Sequence, residues 1–174
     1  MEFLKIVVFS TVAAIVYGIL HDQLTAHLCV EYFSVAHPDI FHTQSPFLLA
    51  LGWGVVATWW VGLPLGIFAA IAARAGWPPR LALADLRLMI LWLLLGMAGC
   101  ATLAGLYGAY GTSHGWLRPP SEWYLVIPKA KWVAFTADAY AHLASYASGI
   151  LGGIGVIAYI LIVRLRRTPI GANA

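Results

Sequence analysis

Four apolar runs govern what this chain can fold into: residues 3–20, 46–73, 86–110 and 132–163. A helix that crosses a bilayer needs about 20 predominantly apolar residues, each rising about 1.5 Å. All four runs meet that length or come close to it. Charged residues make up 10% of the chain, against about 25% in a soluble domain, and the mean hydropathy is +0.83. The expected fold is an all-α integral membrane protein. Residues 1–174 form a single domain, a four-helix bundle of transmembrane helices.

The ends of the runs carry local signals. Lys5 precedes the apolar stretch Ile6 to Leu20 as in a signal peptide. However, Gly18-Ile19-Leu20-His21 offers no small-x-small cleavage site, so the run reads as a retained helix. No Gly or Pro interrupts residues 19–37, and Pro38 is a stop. The first helix is therefore expected to continue past His21, either extended or bent at the membrane surface. Ser45-Pro46 is an N-cap and first-turn pair that opens the second span, and Pro64 is expected to kink it. Gly62 and Gly66, Gly149 and Gly153, and Gly105, Gly108 and Gly111 recur at spacings that let helices pack closely.

Orientation follows from the basic residues. Arg74, Arg80 and Arg87 lie around the second loop, and Arg164, Arg166 and Arg167 follow the last run. The first loop has no Lys or Arg, and the third has Arg118, Lys129 and Lys131 partly offset by Glu122. The positive-inside rule then predicts both termini and the second loop to be cytoplasmic. Trp77 fits an inner aromatic belt, and Trp116, Trp123 and Trp132 an outer one. The expected location is the plasma (inner) membrane of a bacterium. The expected partners are the lipid bilayer and another membrane protein or a second copy of the chain. The arginines adjoin apolar runs, with no basic arm or stacking motif, which argues against nucleic acid.

In this topology all six histidines fall on the extracytoplasmic side: His21, His27, His37, His42, His114 and His142. Asp22, Glu31 and Asp138 fall there as well. His142 precedes Arg164 by 22 residues, roughly 33 Å of helix, and His21 follows Lys5 by 16, roughly 24 Å. Both histidines are thereby placed near the outer edge of the hydrocarbon. Asp138 and His142 are helix neighbours at i,i+4, as are His27 and Glu31. Imidazole and carboxylate at such spacing suit zinc, iron, copper or manganese.

The expected metal site has His21, Asp138 and His142 at its core and Glu31 and His37 as closers. Asp22 and Ser145 are placed as supporting groups. Asp22 is not expected to share an ion with His21, because consecutive helical residues point about 100° apart. In a straight helix Glu31 lies roughly 15 Å beyond His21, so Glu31 and His37 join only if the segment bends.

No HExxH, ExxH, CxxC or CxxCH pattern is present, which leaves zincins, ferritin-like sites, zinc ribbons and c-type haem unsupported. Cys29 and Cys100 lie on different helices and are not expected to pair. The function expected is a membrane-embedded metal-binding protein, in its fullest form a metalloenzyme acting on a lipid-like or small molecule from the outer leaflet. Two alternatives stand beside it. One is a b-type haem or quinone redox protein with His21 and His142 as haem ligands; the other is a non-catalytic subunit of a membrane complex. The sequence names no reaction.

Overall fold

The structure is a computed structural model that describes residues 1–76 and 79–167. Trp77, assigned above to an inner belt, lies outside the described residues. The elements are α1 (Glu2–Leu28), α2 (Val30–Ser34), α3 (Pro46–Val56), α4 (Trp59–Arg74), α5 (Leu83–Ser113) and α6 (Trp132–Arg166), with a 3-10 turn at Lys129–Lys131. No strand occurs among the described residues. Among the described residues, four helical segments are long and apolar enough to cross a membrane: Glu2–Leu28, Pro46–Arg74, Leu83–Ser113 and Lys129–Arg166. Each extends beyond its apolar run, because helix continues into the polar residues at the run's ends.

The first helix is bent rather than extended. It runs to Leu28 and breaks at Cys29, whose backbone is extended (φ −148°, ψ 91°). The short α2 then folds back over the end of the bundle. Its Phe33 is buried with Ala26, Leu49 and Ala50. Cys29 itself packs with Ile127 and Phe135, so the third loop closes over the same end.

The second span is two helices. Ser45 caps α3 by accepting from the Leu48 N–H. Pro64 lies within α4, and the interruption comes earlier, at Ala57–Thr58. The Thr58 Oγ1 hydroxyl donates to the Gly54 carbonyl, while the Thr58 N–H turns to Val55. A side chain has entered the backbone ladder, which is a recognised cause of a sharp kink. The break frees the Ala57 carbonyl, which accepts from the Tyr146 hydroxyl at 3.1 Å.

The helices form two closely packed groups, α1 with α3 and α4, and α5 with α6. Small residues make both possible. A Cβ on Gly54 would lie 2.6 Å from the Ile19 backbone, and one on Gly108 would lie 2.8 Å from the Thr136 carbonyl. At the arginine-rich end, Ile6, Ala70, Ala73, Leu81, Leu86 and Ile160 form the core that joins the groups. Arg164, 3% exposed, binds the carbonyls of Ala72, Ala75 (2.7 Å) and Pro79 (3.0 Å), which caps the last turn of α4. The Glu2 carboxylate accepts from the Leu83 N–H at 3.2 Å, holding the start of α1 against that of α5. At the histidine-bearing end the two groups stand apart, and a cavity lies between them.

Candidate functional site

The cavity has a volume of about 80 Å³. Three elements and a strap wall it. The last turns of α1 supply Tyr17, His21 and Asp22, and α6 supplies His142, Ser145 and Tyr146. The α3–α4 break supplies Ala57 and Thr58, and the strap that begins with α2 supplies Tyr32, Phe33 and His37.

His21, Asp22 and His142 each offer a ligand atom, and these atoms lie within 4.8 Å of one another. The His142 ring is held at both nitrogens. Its Nδ1 lies 2.8 Å from the Asp138 backbone carbonyl, and its Nε2 lies 3.2 Å from Asp22 Oδ1. A carbonyl only accepts, so the proton sits on Nδ1, and a neutral ring presents the Nε2 lone pair toward Asp22. A backbone carbonyl holding the far nitrogen is the arrangement that metal-ligating histidines use. The His21 ring stands 4.6 Å from that of His142, at 71°, and stacks on Tyr17 at 5.8 Å. His21 Nε2 is buried and has no hydrogen-bond partner among the described residues. The Tyr17 and Ser145 hydroxyls, both on the cavity wall, are 2.9 Å apart.

The residues singled out in the sequence are distributed unevenly around this cluster. His21 and His142 meet. Asp22, expected as a supporting group, lies in the cluster itself. The expectation that it could not share an ion with His21 does not hold: its carboxylate oxygen lies within 4.8 Å of a ligand atom on each histidine, because the His142 ring contacts both consecutive residues. Ser145 is on the cavity wall, hydrogen-bonded to Tyr17.

The bend brings His37 to the cavity, though outside the three-residue group. Its Nδ1 donates to the Tyr32 carbonyl at 2.8 Å, and its ring lies 4.7 Å from Trp53. Burial pushes the His37 imidazole below the usual histidine range, against the opposing pull of its bond to Tyr32. The same bend carries Glu31 away from the cluster. Its carboxylate lies 3.0 Å from Lys131 Nζ and accepts from Cys29 Sγ at 3.4 Å. Asp138 contributes its backbone carbonyl, not its carboxylate. The side chain is 0% exposed, and neither oxygen has a hydrogen-bond partner among the described residues.

The strap shields the site from water. The Tyr32 and Phe33 rings lie 4.5 and 5.5 Å from that of His142. Burial raises the Tyr32 hydroxyl and pushes the Cys29 thiol up to about 12, so both stay protonated at neutral pH. Tyr17 and Trp53 went unnoticed in the sequence. Tyr17 was within reach, because it precedes His21 by one helical turn. Nothing local marks Trp53, which reaches the site only through the packing of α3 on α1. Comparison with known protein families, curated proteins and solved structures finds no match for this chain.

Proposed function

We propose that the chain is a multi-pass membrane protein that binds a metal ion through His21, Asp22 and His142. The arginine bias orients it with both termini in the cytoplasm, so the site lies at the extracytoplasmic end, beneath the strap. Two imidazoles and one carboxylate are a donor set for zinc or ferrous iron, with positions left open for water or substrate. His37, on the strap that walls the same cavity, is the further imidazole available to complete the coordination. A bound ion would polarise a substrate or lower the pKa of a coordinated water, which is the basis of the metalloenzyme reading.

One observation carries this reading. Three ligand atoms converge within 4.8 Å in a shielded cavity, and the buried His21 Nε2 has no hydrogen-bond partner among the described residues. A structural pair tying α1 to α6 would need only Asp22 and His142, and would leave the His21 nitrogen unexplained. Haem b fits less well. The His21 and His142 ring centroids are 4.6 Å apart, and no porphyrin fits between rings in contact.

The test is elemental analysis of detergent-purified protein loaded with zinc or, anaerobically, with ferrous iron. Stoichiometric metal is expected, lost in His21→Ala, Asp22→Ala and His142→Ala and retained in Glu31→Gln. Metal-free wild-type protein after loading, or unchanged binding in the three alanine variants, would overturn the reading. A Soret band in the absorption spectrum would move the assignment to haem.

A further inference from the structure

The site cavity adjoins a second space in the interior of the bundle, on the side away from the strap. Ala14 of α1, Val61 of α4, Met97 of α5 and Gly149 of α6 line both. These residues, one from each helix, form a collar between the two spaces. The inner pocket has a volume of about 70 Å³ and is walled by Leu65, Ile90, Leu93, Val156 and Ile157. It reaches Gly153, which lies midway between His142 and Arg164 in α6, about 16 Å of helix from each. The pocket is therefore near mid-depth in the bundle. Ser10 is the one polar side chain on its wall among the described residues, and that hydroxyl donates to the Ile6 carbonyl at 2.8 Å. A buried water needs about 2–4 polar partners. Ser10 alone cannot supply them, so the pocket stays dry.

The collar has one movable member. Met97 Cε lies 2.9 Å from where a Cβ on Gly149 would stand, so the Met97 methyl rests against the bare glycine. A thioether with three rotatable bonds swings aside readily, and Gly149 has no side chain to refill the gap. We propose that the inner pocket holds dioxygen and passes it through this collar to the His21, Asp22 and His142 cluster. Size, polarity and position select that occupant. An apolar cavity of about 150 Å³ takes benzene or xenon. A pocket of about half that volume takes a diatomic molecule or one xenon atom, but no ring, acyl chain or prenyl chain. In a bilayer, mid-depth is hydrocarbon, in which dioxygen dissolves more readily than in water. Two histidines and a carboxylate with open positions are also the donor set of ferrous sites that use dioxygen. The choice of dioxygen over other small apolar molecules rests on the metal reading above; the pocket and its collar do not.

The test is NMR of the full chain in detergent, treated with chelator and labelled at the methionine methyls, which belong to Met1, Met89 and Met97. Xenon, the probe for the pocket, should shift the Met97 methyl saturably. Met89, packed against the core at the arginine-rich end, should shift little and without saturation. Val61→Phe and Val156→Phe, which fill the collar and the pocket, should each abolish the saturable shift; an unmoved Met89 signal shows that the fold is kept. A Met97 shift that grows linearly with xenon, or one that survives both variants, overturns the pocket. Dissolved dioxygen should relax the Met97 methyl faster than that of Met89, and xenon should suppress the difference. Equal relaxation of the two methyls, or no suppression by xenon, overturns dioxygen as the occupant. These measurements involve no metal, so their failure leaves the metal reading standing. Saturable xenon binding by a protein that takes up no metal on loading would keep the pocket and remove the delivery of dioxygen to the cluster.

Discussion

His142 Nε2 and Asp22 Oδ1 meet at 3.2 Å across 120 residues of sequence, with their side chains 11% and 7% exposed. This contact joins α1 to α6 beside the cavity, together with the Tyr17–Ser145 and Tyr146–Ala57 hydrogen bonds. Removing one partner of a buried hydrogen-bonded pair strands the other, at a cost of about 1–3 kcal/mol. Asp22→Ala should therefore lower the thermal stability of the metal-free protein. Asp22→Asn should not, because its amide donates to the Nε2 lone pair that a neutral His142 presents. The same Asn variant should lose metal. Thermal unfolding followed with and without chelator separates the two effects. If Asn and Ala destabilise equally, the pair is an imidazolium with a carboxylate instead.

The crossing of α1 and α3 sets the position of His21 and Asp22. Gly54→Ala would drive a Cβ to 2.6 Å from the Ile19 backbone, which cannot yield as a side-chain tip can. Overpacking of this kind costs about 1–3 kcal/mol. Gly54→Ala should lower the melting temperature and weaken metal retention together. Gly96→Ala, where nothing lies within 4 Å of the added Cβ, should leave both unchanged or raise stability slightly. The paired measurement distinguishes close approach from a general effect of glycine replacement.

The guanidinium of Arg164 gathers carbonyls from the end of α4 and from Pro79, and its planar fork of donors suits several acceptors at once. Lys cannot reproduce that fork, so Arg164→Lys should destabilise the protein by about 2 kcal/mol, and Arg164→Met by more, because buried carbonyls lose their donor. Denaturant unfolding in mild detergent checks the order. Because Arg164 lies at the end far from the cluster, metal stoichiometry in the surviving folded fraction should be unaltered.

The helices were legible because their signal is local and strong: runs of apolar residues about 20 long, with Ser45-Pro46 marking one start. The bend at Cys29 was legible only as an alternative. No Gly or Pro announces it; packing of Cys29 against Ile127 and Phe135, nearly 100 residues on, settles it. The meeting of His21 with His142 follows from counting residues to Lys5 and to Arg164. Spacing along α1 alone gives Asp22 a lesser place, because consecutive helical residues point about 100° apart. A partner ring that contacts both of them is a tertiary fact. The same holds for Glu31, whose partner Lys131 is decided by which way α2 turns after the bend. The break at Ala57–Thr58 was hidden because Pro64, seven residues away, is the more conspicuous sequence signal.

Glu31 and Lys131 form a polar tie between the strap and the 3-10 turn that leads into α6, at 3.0 Å and with side chains 22% and 45% exposed. Burial alone would raise the Glu31 carboxyl. Hydrogen bonds from its own backbone, Lys131 and Cys29 outweigh this and hold it below the usual 4.5. A carboxyl with a lowered folded-state pKa adds stability in full above the unfolded-state value and loses it as the pH falls through the folded-state value. Wild type and Glu31→Gln should therefore differ in melting temperature at pH 7 and converge in acid below the ordinary carboxylate range. An exposed pair of this kind contributes about 0.2–1 kcal/mol, so strap opening in Glu31→Gln should increase up to about fivefold. In a Cys100→Ser background, alkylation of the buried Cys29 at pH 7 reports that opening directly. Glu31→Gln should label faster than its parent by that factor, and high salt should narrow the gap by screening the pair. Equal labelling rates at low salt would mean that Phe33 and Ile127 hold the strap without help from the ion pair.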